Sequence, residues 1–479
     1  MTETLQRPKV DRIRSPRHLL ADVAARATDY LANVPSRGVG PTQSAVDALS
    51  ALDEPLPEGA TPGPEIIRLL DELGSPATVA STSGRYFGFV TGGSLPASLA
   101  ANWLVGAWDQ NCFLSVQSPI AAALEAVVLR WLLEIFGLPA SCGAGFVTGA
   151  TMANFTCLAA ARGALLRRAG WNVEERGLFG APELKVIVGG EAHVSVLKAL
   201  AMLGLGRSRV SVVPADDQGR MRPDCLPELD DRSIICLQGG NVNTGAFDPA
   251  AEICSHAREA NAWAHVDGAF GMWAAAAPGR SHLFRPFVEA DSWATDCHKW
   301  LNVPYDSGLA FVREGTYLSD AMTISAGYLQ TGATREPGRF TPEASRRARG
   351  VEIWAALKFL GRSGLAEMIE KHCRLAKRFA DELNLAGYEV LNDVVLNQVL
   401  VSFGDDDLNQ RVITAIQQDG TCWCGGTQWH GRSAMRVSVS CWATTEDDVD
   451  RSIKAMIRIA KQQVNACGPN RDGARTSSA

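Results

Sequence analysis

Short apolar runs alternate with helical stretches through the middle of the chain. Residues 184–188, 210–213, 233–237, 263–266, 292–295 and 308–312 form compact runs of four or five mostly nonpolar positions. Such runs, lacking a polar face and separated by helices, predict a mostly parallel sheet buried on both sides. Helical spacing predicts long helices over 119–136 and 151–168, the second opening directly after a Gly-rich turn. These elements define a large α/β domain over 86–324.

The flanks follow other patterns. Residues 1–85 show helical periodicity at 17–31 and 65–73 around a Pro/Gly-rich stretch at 35–64, with no buried strand. A helical arm of this kind cannot close a core alone, so it is expected to pack on a neighbour, in the same chain or another. Residues 325–350, rich in Gly, Thr and Arg, have no period and read as a mobile lid loop. Helices at 351–360, 365–385, 407–419 and 446–464, with strands at 394–403 and 435–439, make a small α+β domain over 351–467. The polar tail 468–479 reads as disordered.

Composition narrows the class. The 479 residues are 46% hydrophobic and 20% charged, which excludes disorder as the main state. With 46 Lys and Arg against 52 Asp and Glu, the net charge of −6 argues against nucleic acid as a partner. Twelve Cys are too few for a disulfide scaffold of this length. The charged N-terminus is no secretory signal, and Glu125, Arg130 and Glu134 interrupt the most apolar stretch, so no membrane span is expected. A cytoplasmic protein with reduced thiols is the expectation.

Four segments carry candidate chemistry. Ala264-His265-Val266-Asp267-Gly268-Ala269 places an Asp at the end of an apolar strand, either as a turn cap or as a charge aimed at a ligand. Asp296-Cys297-His298-Lys299-Trp300 follows the next strand. A Lys and an Asp at neighbouring strand ends suggest a Schiff-base amine, its pKa lowered by burial, and a carboxylate for a pyridinium nitrogen. Gly145 to Asn154 is a Gly-rich turn opening a helix, suited to phosphate, though plain tight turns share this pattern. It lacks the Walker lysine and the dinucleotide G-x-G-x-x-G. His193 follows another strand, where an imidazole can stack on an aromatic ring or simply satisfy a loop. Cys422, Cys424, Cys441 and His430 lack the paired spacing of a zinc site, so no metal is expected.

The order phosphate loop, His, Asp, Lys resembles the group II pyridoxal-phosphate-dependent amino-acid decarboxylases, which act on aromatic amino acids, tyrosine, glutamate or diaminobutyrate. Arg85 to Gly93, Ala107 to Asn111 and Asp296 to Asp306 support the resemblance, which spans nearly the whole chain. It implies the aspartate-aminotransferase fold (fold type I), pyridoxal 5'-phosphate as cofactor, an amino-acid substrate and a homodimer with its site at the interface. By the same resemblance Lys299 anchors the cofactor, Asp267 pairs with the ring nitrogen and His193 stacks on the ring. Ala150, Thr151, Asp296 and His298 lie at the phosphate, Ala269 packs under the ring, Thr244 contacts it, and Phe89 and Arg436 face the substrate.

Two departures stand out. Gly240-Asn241-Val242-Asn243-Thr244 replaces the Gly-Thr-Thr of animal relatives, and no Tyr lies between Tyr328 and Gly350, where relatives keep a proton-donating Tyr. Phe340 is the only aromatic there and is expected to shield the site. The leading expectation is decarboxylation of an L-amino acid to its amine. The alternatives are an aldehyde synthase with the same site, a non-catalytic protein of this fold and a nucleotide-binding α/β protein. Phe89, Trp108 and Phe113 favour an aromatic or apolar substrate.

Overall fold

The computed structural model describes residues 16–323 and 335–465. Helix α1 (Pro16–Asn33) has no buried residue. Its Arg26 pairs with Asp71 at 2.7 Å, beyond a second short helix at Gly63–Leu69. Helices α2 (Pro96–Trp108) and α3 (Pro119–Phe136) lead to the main sheet. Helix α3 starts on a Pro, whose missing N–H costs nothing there, and stops at Gly137 with φ 68°.

The main sheet comprises β1 (Gly143–Val147), β2 (Lys185–Gly189), β3 (Ser211–Val213), β4 (Ser233–Gln238), β5 (Trp263–Asp267), β6 (Ser292–Asp296) and β7 (Gly308–Val312). Between them run α4 (Ala150–Arg168), α5 (Val194–Met202) and α6 (Ala250–Glu259), and α7 (Gly315–Met322) follows β7. The spatial order is β1-β7-β6-β5-β4-β2-β3. Strands β2 to β6 pair in parallel, while β7 runs antiparallel to both β6 and β1. The carboxyl ends of β1, β2, β4, β5 and β6 therefore share one edge, the usual ligand edge of an open α/β sheet. One face is packed by Val128, Phe136, Trp273 and Phe311, the other by α4 through Cys157, Ala160 and Leu165.

The six apolar runs all appear as strands. Strand β1 was hidden because Gly143-Ala144-Gly145 reads as a turn. Its glycines reflect close packing instead: a Cβ on Gly145 would lie 2.2 Å from the Phe340 carbonyl oxygen, and one on Gly143 2.7 Å from Gly315 Cα.

Helix α8 (Arg349–Leu385) joins the two helices expected at 351–360 and 365–385, with a kink where Gly361 takes φ 63°. Beyond it, β8 (Glu389–Val390), β9 (Gln398–Ser402), β10 (Gly425–Trp429) and β11 (Arg432–Ser438) form an antiparallel sheet in the order β10-β11-β9-β8. Helices α9 (Asp406–Asp419) and α10 (Glu446–Asn465) pack on it through Val412, Ile416, Val449 and Met456.

Residues 325–334 of the expected lid lie outside the described residues. Four of the arginines that follow form ion pairs within the chain. Arg335 and Arg346 both pair with Glu125, a fully buried carboxylate of α3, and donate to the carbonyls of Ala144 and Phe146. Arg347 pairs with Glu352 and Arg349 with Asp306. Phe340 lies under the Arg335 guanidinium, 4.4 Å from its ring centre, and packs against the α4 side of the sheet.

Two stability predictions follow from buried polar groups. Asn302 has φ 58°, and its side chain accepts from the N–H of Gly93 (2.7 Å) and Trp442 (2.9 Å) and donates to the carbonyls of Trp300 and Ser440. Asn302→Ala should cost about 3 kcal/mol by leaving these groups unpaired, read from the denaturant midpoint. His265 and His372 are pushed down to about 3 by burial. Between pH 3 and 6.5 the unfolded chain then binds more protons than the folded one, so stability rises with pH across that window. By pH 5 each histidine should remove about 2 kcal/mol relative to neutral pH, and His372→Gln should abolish its share.

Candidate active site

Asp296 closes β6, and its carboxylate reaches the start of α4. Oδ1 accepts the Ala150 N–H at 2.5 Å, and Oδ2 pairs with Lys299 Nζ at 2.9 Å. Gly149 has no side chain to cap α4 and Asp296 takes only the Ala150 N–H, so the remaining N–H groups of the first turn, including that of Thr151, form an anion-seeking end. His298 Nδ1 accepts the Ser307 N–H, which leaves Nε2 facing Asp296 at 3.5 Å. Burial lowers the His298 pKa, against the pull of Asp296. The loops meet closely here: a Cβ on Gly308 would lie 2.5 Å from Gly149 Cα, and one on Gly92 would lie 1.9 Å from the Lys299 carbonyl oxygen.

The expected lowering of the Lys299 pKa is corrected by this geometry. Burial pushes the ammonium down, but the charge and hydrogen bond of Asp296, with Asp267 behind it, outweigh burial and raise the pKa above the ordinary lysine value.

Asp267 ends β5 and is 5% exposed. Its Oδ2 receives Asn154 Nδ2 at 3.2 Å and Ser195 Oγ at 3.4 Å, and its Oδ1 receives the half-buried Ala269 N–H at 3.2 Å. His193 caps α5: its Nδ1 accepts the Ser195 N–H at 3.2 Å and meets Ser195 Oγ at 2.8 Å. Burial lowers the His193 pKa, opposed by Asp267 and helped by Lys299 and Arg436, so the ring stays neutral at neutral pH.

Arg436, on β11, is half-buried, and this partial desolvation lowers its pKa. It donates to the Val242 carbonyl at 3.2 Å and approaches Asn243 Oδ1 at 3.4 Å, and it has no carboxylate partner among the described residues. Beside it Tyr86 and Phe89 stack on Trp423, with ring centres 5.1 and 5.5 Å away. Phe89 holds φ 55° and is 64% exposed. Tyr305 stacks on His298 at 4.2 Å.

The structure thus gathers Ala150, Thr151, His193, Asp267, Ala269, Asp296, His298 and Lys299 at one sheet edge, with Arg436 and Phe89 beside it. Thr244 does not join them. Its hydroxyl donates to the Gln218 carbonyl at 2.7 Å and receives the Ala246 N–H, so a turn consumes it. Phe113 is buried beneath Gly338, and Trp108 ends α2 partly exposed. Sequence reading missed the roles of Asn154, Ser195, His265 and Trp423. Two of them had a signal: His265 shares a strand face with Asp267, and Asn154 lies one helical turn beyond Ala150.

A lysine and a carboxylate at adjacent strand ends, facing a helix N-terminus with N–H groups still to be satisfied, define a pyridoxal-phosphate enzyme of the α/β class. Residues 48–404 match the pyridoxal-dependent decarboxylase conserved domain, and the chain belongs to that family. It is therefore a pyridoxal-phosphate-dependent carboxy-lyase. It is 24% identical over 454 residues to aromatic-L-amino-acid decarboxylase of Bacillus atrophaeus, covering 89% of this chain and 92% of the relative. Phenylacetaldehyde synthase of Arabidopsis thaliana is 25% identical, covering 93% of this chain and 95% of the relative. In fold, the chain is similar to Oryza sativa TDC solved with PLP and tryptamine, with a TM-score of 0.87 at 22% identity over 97% of this chain and all of that one.

Proposed function

We propose that the protein decarboxylates an aromatic L-amino acid to its amine. The observation that carries this reading is the half-buried Arg436, free of any carboxylate among the described residues, beside the ring stack of Tyr86, Trp423 and Phe89. A guanidinium so placed suits a substrate carboxylate, and the rings suit a planar side chain. Several relatives carry the names of tryptophan, tyrosine and aromatic-amino-acid decarboxylases.

Bound pyridoxal phosphate supplies the electron sink for the pair left when CO2 departs. The side chains do the rest. Lys299 Nζ would be the covalent anchor, oriented by Asp296, which His298 faces in turn. The first turn of α4 would offer the Thr151 N–H to phosphate, with Ala150, whose N–H Asp296 holds, beside it. Asp267 would hold a proton on the ring nitrogen by its opposite charge. His193, its pKa lowered by burial, would stack on the ring, and Ala269 would pack under it.

Exposed Leu20, Leu31, Trp103 and Leu104 support a homodimer in which the arm 1–85 packs on a second copy. The described cysteines are all unpaired, and no described helix is long and apolar enough to cross a membrane; both fit a cytoplasmic enzyme. A second reading, aldehyde synthesis, draws support from the absence of Tyr between Tyr328 and Gly350.

Rates with L-Trp, L-Tyr and L-Phe test the substrate class against L-Glu and L-2,4-diaminobutyrate. The aromatic substrates should lead by about 100-fold in kcat/KM. A lead by the acidic or basic substrates would overturn the assignment. Amine, aldehyde and ammonia measured together decide between the two outcomes.

A further inference from the structure

Asp267 stands at the end of a buried hydrogen-bonded chain whose direction is fixed by chemistry. Trp263 Nε1–H can only donate, and it donates to Ser292 Oγ at 2.9 Å. The Ser292 hydroxyl proton is then available to His265 Nδ1, also at 2.9 Å. An accepting Nδ1 puts the proton of the neutral ring on Nε2, which donates to Asn154 Oδ1 at 2.9 Å. That contact orients the Asn154 amide, so Nδ2 donates to Asp267 Oδ2 at 3.2 Å and to Ser195 Oγ at 3.3 Å. Ser195 in turn meets His193 Nδ1 at 2.8 Å.

Three properties set this chain apart from ordinary core packing. His265, Asn154 and Ser292 are fully buried between β5, β6 and α4, where apolar side chains would fill the space without a desolvation cost. Every polar atom in it has a partner. Its outlet is the Asp267 carboxylate and the His193 ring, the two groups assigned to the cofactor ring. Burial keeps His265 uncharged throughout the physiological range, so the chain delivers oriented dipoles and no competing charge.

We propose that Asn154 and His265 are positioning residues for the ring-nitrogen contact. Asn154, oriented by His265, occupies Asp267 Oδ2 with a donor and leaves Oδ1, which among the described residues carries only the Ala269 N–H, as the oxygen available to the ring nitrogen. Through Ser195 the same amide ties the orientation of Asp267 to that of His193. This inference rests on the assignment of Asp267 to the ring nitrogen.

The test is a ring-nitrogen NMR titration of holoenzyme carrying isotopically labelled pyridoxal phosphate, run on wild type, Asn154→Leu, His265→Leu, His265→Gln and Asp267→Asn. The ring nitrogen of Asn154→Leu and His265→Leu should lose its proton at a pH lower by about one unit or more. In both, kcat should fall about tenfold or more while cofactor affinity stays within about twofold. His265→Gln, which keeps a donor for Asn154, should recover part of the shift; a merely structural role would not order the variants this way. Should either Leu variant fail to fold, Asn154→Asp, which turns a donor toward Asp267 into an acceptor, should show a shift at least as large. Relay variants that titrate like wild type while Asp267→Asn is shifted would overturn the relay alone. An unshifted Asp267→Asn would overturn the assignment of Asp267 and the relay with it.

Discussion

Lys299→Ala should abolish the absorption band of covalently held cofactor and lower turnover by roughly three orders of magnitude or more. Lys299 Nζ lies 2.9 Å from Asp296 at the mouth of α4, so its amine is held where a cofactor phosphate and its aldehyde can be reached together. The variant should remain folded, because Asp296 keeps its hydrogen bond from the Ala150 N–H and so is not left a bare buried charge. Retention of both the band and the turnover in a folded Lys299→Ala protein would mean that another lysine is the anchor.

Asp267→Ala separates cofactor binding from catalysis. The anchor and the helix N-terminus stay intact, so pyridoxal phosphate should still bind. What is lost is the charge that keeps the ring nitrogen protonated. Removing one preorganised charge of this kind costs about 2.7–4 kcal/mol, or two to three orders of magnitude in kcat. The substitution also strips Asn154, Ser195 and the Ala269 N–H of their acceptor. Single-turnover kinetics with saturating cofactor check the prediction, and a rate near wild type would remove Asp267 from the mechanism.

The parts of this site legible in the sequence are those written within one segment. Asp267 and Lys299 could be placed because each follows a short apolar run, and strand ends in a parallel sheet share an edge. The start of α4 was visible as a Gly-rich turn before a helix. What was illegible depends on pairs distant in sequence. The Lys299 pKa was read with the wrong sign because Asp296 turns back onto the amine. Thr244 was placed at the ring by resemblance, yet its hydroxyl is spent on Gln218 and Ala246 in a turn that only the fold reveals. Glu125 served in the sequence only to interrupt an apolar stretch, and the arginines after 334 counted only as part of a loop without a period. Their pairing inside the core, Arg335 and Arg346 on Glu125, requires α3 and the segment before α8 to meet. The fold was more legible than the site network, since unbroken apolar runs report burial directly. Strand β1 escaped because glycines chosen for close packing mimic a turn.

The central claim is that the Lys299 and Asp267 site, loaded with pyridoxal phosphate, removes the carboxyl group of an amino acid. Carboxyl-labelled L-amino acids given to purified holoenzyme test it most directly. The account predicts labelled CO2 with at least one aromatic substrate, and release that disappears in Lys299→Ala. Absence of labelled CO2 from every proteinogenic L-amino acid, or release undiminished by Lys299→Ala, would contradict it.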